Sequence, residues 1–240
     1  MSLALARRIL YATVAFVAGL LGARALMPDA SPTPLPLQRA VRWPDTSALP
    51  RLALIDQTGA AFDGSAFRGR WTYAFLGFTS CPDVCPTTLT VLAEVRRRLG
   101  DLPAARQPAV LLVTVDPERD DAARLSAYLQ HFDATFRGVT GKPEEIARLA
   151  SALHAAYARV EMAGGGYTMD HASSLFVIGP DGNLVATSGA PHDAAVIADD
   201  YRVLAGTPTA ALAMARAASS DSSSIGLTRW RSKPAARALR

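Results

Sequence analysis

Two cysteines four positions apart, set where a strand hands over to a helix, constrain this chain more than any other feature. Cys81 and Cys85 are the only cysteines among its 240 residues. Before them, Trp71 to Phe78 is a nearly continuous aromatic and apolar run, which reads as a buried strand. After them, Leu89, Leu92, Val95 and Leu99 recur at helical spacing, so Thr87 to Leu99 reads as a helix. Pro86 suits a helix start, where its missing N–H has no partner to lose. Once the first turn closes, residues four apart share a face, and both sulfurs point the same way. Free N–H groups and the helix dipole at such an end favour thiolate. Two converging thiolates can form a disulfide or hold a soft metal ion. The third possibility is inert: a disulfide closing so short a loop adds little stability, and buried thiols do no chemistry. The spacing alone leaves all three open.

Charge narrows the partners. The formal net charge is +4, and the basic excess sits at the end of the chain, in Arg229, Arg231, Lys233, Arg237 and Arg240. No nucleic-acid motif accompanies it, so no nucleic-acid partner is expected and residues 207–240 read as a disordered basic tail. Hydrophobic residues make up 50% of the chain, a globular composition with room for one membrane segment.

That segment is expected at residues 1–27. Arg7 and Arg8 precede an apolar run from Ile9 to Ala23, about 15 residues against the roughly 20 needed to span a bilayer. Apolar flanks and snorkelling arginines extend it to a feasible anchor. A cleaved signal peptide is the alternative, with Ala23-Arg24-Ala25 as a small-x-small site. Both readings put the following domain outside the cytoplasm, in the periplasm or an equivalent exported compartment, membrane-anchored in the first case. Pro28, Pro32, Pro34, Pro36, Pro44 and Pro50 mark residues 28–49 as an extended linker.

The domain is expected over residues 50–206. Leu52–Ile55 and Ala60–Phe62 form a hairpin about Asp56-Gln57-Thr58-Gly59. Strands follow at 109–115, 136–140, 157–162, 175–178 and 184–187, and helices at 121–132, 143–154 and 194–204. Gly164-Gly165-Gly166 breaks regular structure between two strands, and Pro180-Asp181-Gly182-Asn183 makes a turn. Alternating strands and helices followed by a hairpin imply an α/β sandwich with a mixed sheet.

Four blocks carry a resemblance. Gly77-Phe78-Thr79, then Cys81 to Leu89, then Val115-Asp116-Pro117-Glu118-Arg119-Asp120, then Asp170-His171 with Gly179-Pro180-Asp181-Gly182, occur in this order between Pro50 and Leu204. Together they resemble the Sco/SenC family. The resemblance implies a thioredoxin-like fold on a single membrane anchor. It implies copper as the bound metal, Cu(I) with Cu(II) left open, and Cys81, Cys85 and His171 as its ligands. It also implies a role in assembling the binuclear copper centre of cytochrome c oxidase. The implied partners are the oxidase's copper-centre subunit, a copper donor and a thiol reductant. Ala172 departs from the Ser or Thr that the family often has after the histidine, and the C-terminal tail lies outside the common pattern.

The chemistry agrees with that implication. Thiolates select Cu(I), and imidazole suits copper. Three donors hold a metal loosely enough to pass it on, whereas four cysteines would retain zinc. His171 follows the glycine run, so it is expected on a mobile loop. His131, His154 and His192 read as surface or capping residues, Met169 as hairpin packing, and Asp83 as a helix-start carboxylate. Asp116 and Asp120 read as turn and cap residues, because hard carboxylates suit Cu(I) poorly. The leading expectation is a copper metallochaperone. Its rival is a thiol–disulfide reductase, with Cys81 and Cys85 as catalytic residues, that keeps another copper protein's cysteines reduced. A thioredoxin-like peroxidase is a third, weaker option.

Overall fold

The apolar run after Trp71 does form a strand, and the chain around it alternates. The computed structural model describes residues 7, 11–13, 15–19, 36–44 and 48–206. In order the elements are β1 (Val41–Arg42), β2 (Leu54–Asp56), β3 (Ala61–Phe62), β4 (Thr72–Gly77), α1 (Val84–Arg98), β5 (Ala109–Thr114), α2 (Ala122–Leu129), β6 (Arg137–Gly141), α3 (Pro143–Ala152), β7 (Tyr157–Glu161), β8 (Tyr167–His171), β9 (Leu175–Ile178), β10 (Leu184–Ser188) and α4 (Ala194–Leu204). Eight strands form one sheet in the order β1-β10-β9-β4-β5-β6-β2-β3, while β7 and β8 pair only with each other. β4, β5 and β6 run parallel, and β9 and β2 flank them antiparallel. The mixed sheet and α/β layering are those of a thioredoxin-like fold.

β4 and β5 are buried at every position, which is why they read as unbroken apolar runs rather than alternating ones. Their side chains still alternate between two cores. Tyr73, Phe75, Val110 and Leu112 face the helix side of α1, α2 and α4, against Leu89, Leu92, Leu125, Leu129 and Ile197. Ala74, Leu76, Leu111 and Val113 face α3, through Ile146, Leu149 and Leu153. The helical stripe in α1 is fully buried, Leu89, Leu92 and Leu99 each at 0% exposure. Each such leucine contributes roughly 1.5–3 kcal/mol. Asp121 caps α2 by accepting from the Arg124 N–H, and Asp193 caps α4 by accepting from Ala195 and Val196.

Three expectations change. First, no helix among the described residues is long and apolar enough to cross a membrane. The helical residues described near the amino terminus are Arg7, 11–13 and 15–19. The arginines at 8 and 24 leave an uninterrupted apolar run of only about 15 residues, short of a roughly 30 Å core, and snorkelling flanks do not amount to a span. The expected membrane-spanning anchor, and with it the membrane contact and the anchored localisation, is therefore withdrawn. Second, structure begins inside the proline-rich stretch. The backbone N–H groups of Gln38, Arg39 and Ala40 donate to the Asp200 carboxylate at 2.6, 3.0 and 2.8 Å, and β1 pairs with β10. Third, the glycine run leads into a strand. β8 pairs antiparallel with β7, and His171 is its last residue, opposite Tyr157. The proposed tail at residues 207–240 lies outside the described residues.

Candidate metal centre

The turn from β4 into α1 brings the two sulfurs together. α1 begins at Val84, three residues earlier than its apolar stripe suggests, so Cys85 lies inside the first turn and Cys81 just ahead of it. Asp83 occupies the cap position but makes no side-chain capping bond there; it accepts instead from the Thr87 hydroxyl at 3.3 Å. The Cys81 sulfur takes over the acceptor role, receiving the Cys85 N–H at 3.4 Å. Sequence spacing thus converges the cysteines through the helix start, as expected. Both thiols are free.

Cys85 is 1% exposed, and its thiol rests against the backbone of β4. A Cβ on Gly77 would lie 3.0 Å from the Cys85 sulfur and 2.8 Å from Leu112 Cδ1, so only glycine admits this approach. Burial pushes the Cys85 thiol up, against the expectation that the helix start would favour thiolate there. A hydrogen bond from the Phe78 backbone opposes that rise without overcoming it. Desolvation wins because the sulfur sits beneath the helix terminus, in the core that also holds Phe78 and Val113.

His171 closes the cluster. One ligand atom each from Cys81, Cys85 and His171 lie within 4.8 Å of one another. His171 Nε2 is 3.6 Å from the Cys85 sulfur, and Nδ1 is 3.1 Å from the Ala172 carbonyl oxygen. A carbonyl accepts only, so Nδ1 carries the proton and the Nε2 lone pair faces the sulfurs. The Phe78 ring meets the imidazole edge-on, with centroids 6.0 Å apart. Two soft sulfurs and an imidazole form a donor set that suits copper. The expected alanine departure at 172 costs nothing visible here, because the contact to His171 uses the backbone.

His131 and His154 are exposed, as the residues suggested, whereas His192 is half-buried and caps no helix, the cap being Asp193. His131 Nδ1 lies 3.3 Å from the Tyr128 carbonyl, at an exposed helix end. His154 stacks on Trp43 with centroids 4.5 Å apart. His192 Nε2 lies 2.9 Å from the Ser173 carbonyl, and burial lowers its pKa. Met169 packs against the α3-side core.

The two acidic residues at 116 and 120 do more than the turn and cap roles expected of them. Asp120 is fully buried and accepts from the Thr79 N–H at 2.9 Å, the Thr79 hydroxyl at 2.5 Å and the Thr114 hydroxyl at 2.7 Å. It therefore ties the turn before Cys81 to the end of β5. Arg124 adds bonds to the Thr79 and Ser80 hydroxyls at 2.7 and 3.1 Å. Asp116 pairs with Arg119 and accepts from the Tyr167 hydroxyl at 2.8 Å. The Asp116–Asp120 block was singled out by resemblance, yet its reach to Thr79 and Tyr167 was invisible, because both partners are remote in sequence.

Comparison with known proteins places this geometry. The chain is 39% identical over 169 residues to a Stutzerimonas stutzeri protein whose name refers to copper binding, covering 70% of this chain and 78% of that one. It is 33% identical over 150 residues to the human mitochondrial SCO2 homolog, covering 62% of this chain and 56% of that protein, so it spans just over half of that relative. The copper-bound structure of Bradyrhizobium japonicum ScoI superposes with a TM-score of 0.59 at 33% identity, over 65% of this chain and 98% of that one. The SCO1/SenC family profile matches residues 45–206, and the chain belongs to the SCO1/SenC family.

Proposed function

We propose that this protein is a copper metallochaperone that binds Cu(I) through Cys81, Cys85 and His171 and takes part in assembling the binuclear copper centre of cytochrome c oxidase. Family membership supports the general role. The observation that carries the ligand set is His171 Nε2, 3.6 Å from the Cys85 sulfur with its other nitrogen engaged by a backbone carbonyl. Thiol–disulfide exchange needs an attacking thiolate and a second sulfur, and no imidazole. A low-coordinate copper site does use one.

Cu(I) is the cargo in this reading. Binding displaces the thiol protons, because the ligand is the thiolate. Burial raises the Cys85 pKa, so the metal must compete with the proton for that sulfur. Three protein donors leave the ion open to a further donor from the receiving protein, so transfer can proceed by ligand exchange. The receiver in this reading is the copper-centre subunit of the oxidase. A copper donor loads the site, and a thiol reductant restores the cysteine pair when it is oxidised.

The test is Cu(I) affinity of the reduced full chain, measured by competition with a chromophoric chelator. Removing an outer partner of a ligand typically costs about 10–100-fold in affinity, so His171→Ala, which removes a ligand, loses at least about 100-fold. The same variant reduces a model disulfide at the unaltered rate. Full copper affinity in His171→Ala hands the function to the second reading, a thiol–disulfide reductase acting on the cysteines of the oxidase subunit or another copper protein. One observation favours that reading: Cys81 is partly exposed while Cys85 is buried, the asymmetry of an attacking and a resolving thiol.

A further inference from the structure

We propose that Arg119, held by Asp116, is a positioning residue that sets the distance between His171 and the cysteine pair. The inference rests on the copper-ligand reading of His171 given above.

The need for such a residue comes from topology. Cys81 and Cys85 hang on β4 and α1, in the main sheet and its helix layer. His171 ends β8, whose only strand partner among the described residues is β7. Among the described residues, no ladder of backbone hydrogen bonds joins that hairpin to the sheet carrying the cysteines. Side-chain and loop contacts must therefore hold it in register. Near His171 these include the Ala172 N–H donating to the Ala156 carbonyl at 2.9 Å, which is internal to the hairpin's own base. At the other end of β8 the contacts come from the loop after β5: exposed Glu118, which pairs with Arg159 of β7 at 3.2 Å, and the more buried Arg119.

Arg119 joins three parts of the site at once. Its Nε donates to Asp116 Oδ2, and Asp116 is 2% exposed in the loop after β5. Its Nη1 donates to the Tyr167 carbonyl oxygen at 3.2 Å, at the first residue of β8. Its guanidinium carbon lies 4.0 Å from the Tyr167 ring centroid and 5.8 Å from that of Phe78. The Tyr167 hydroxyl closes a ring of contacts by donating to Asp116 Oδ1 at 2.8 Å. Phe78 in turn meets the His171 imidazole edge-on. A planar group that donates in two directions while covering aromatic faces is a task for arginine, and lysine cannot replace its fork. Desolvation of Asp116 makes the pair costly to break from one side, since the carboxylate would remain buried without its cation. Arg119 touches none of the three proposed ligand atoms; it acts through β8 and Phe78.

The experiment is a double-mutant cycle on the reduced full chain. Arg119→Lys alone lowers Cu(I) affinity by about tenfold, the lower end of what orienting partners of a ligand contribute. Arg119→Lys adds no further loss in the His171→Ala background, because its effect passes through the imidazole. Tyr167→Phe, which removes only the hydroxyl bond to Asp116, gives a smaller loss of the same kind, and serves if Arg119→Lys folds poorly. The Cu(II) form of Arg119→Lys also shows a shifted thiolate-to-copper absorption band. Equal losses in the presence and absence of His171 overturn the inference, assigning Arg119 to general stability. Undiminished affinity in both Arg119→Lys and Tyr167→Phe overturns it as well. If His171→Ala itself keeps full affinity, the ligand reading fails first, and that result is distinct from either.

Discussion

The two halves of the site are built on different principles. The cysteine half is local: four residues of sequence, a strand buried on both faces, and a helix whose first turn places Cys85 under Gly77. The histidine half is remote, 86 residues away from Cys85, on a two-stranded hairpin outside the main sheet. β7 is largely exposed, in contrast to β4 and β5. The sulfurs are therefore presented by the buried core of the molecule, and the nitrogen by a partly exposed hairpin outside the main sheet. On the proposed copper reading, that division would let the donor on the hairpin leave while the sulfurs stay in place.

The sharpest way to break the contrast is to disturb the rigid half. Gly77→Ala places a Cβ 2.8 Å from Leu112 Cδ1 and 3.0 Å from the Cys85 sulfur. Overpacking of this kind costs about 1–3 kcal/mol of stability. The expected result is a lower unfolding midpoint in denaturant together with weakened Cu(I) binding. Undisturbed stability and affinity would mean that the close approach of sulfur to strand has no consequence.

Proton competition gives a second, smaller handle on the same half. Burial raises the Cys85 pKa, so the thiol is protonated at neutral pH and copper must displace that proton. Apparent Cu(I) affinity then rises with pH and falls as pH is lowered, by about tenfold per pH unit for each proton displaced. A titration with the chelator buffered at several pH values reads this directly. A flat profile would mean that binding displaces no thiol proton at all, contrary to the burial of Cys85.

The gentlest perturbation belongs to the hairpin. Gly165 has φ +86 at the turn between β7 and β8, a conformation that costs an alanine about 1–2 kcal/mol. Gly165→Ala should speed hydrogen exchange of the β7 and β8 amides and leave those of β4 and β5 unchanged, with little change in the global unfolding midpoint. Parallel acceleration in both regions would show that the hairpin and the sheet open as one unit, and the contrast drawn here would not stand.

Sequence alone determined the elements whose signals are local and repetitive. The helical stripe Leu89, Leu92, Val95 and Leu99, the apolar runs of β4 and β5, and the capped helix Ala194–Leu204 are all legible because periodicity and capping reside in neighbouring residues. The cysteine turn was legible for the same reason. Other features needed the folded chain. β8 hid behind a glycine run and the mixed residues Tyr167 to His171, which carry no clean alternation, so His171 read as a loop residue rather than a strand end. The membrane-anchor expectation failed on length, where flanking residues were asked to complete an apolar run too short by itself. The Cys85 thiol reversed its expected direction because desolvation depends on what the tertiary fold stacks over the sulfur, whereas the dipole argument needs only the helix start. Asp116 and Asp120 looked like turn and cap residues because their partners, Tyr167 and Thr79, are 51 and 41 positions away, and the Arg119 contact to Tyr167 spans 48. Short-range pattern decides which elements form. Only their packing decides which thiol is buried, which strand brings the imidazole to the sulfurs, and which arginine contacts that strand.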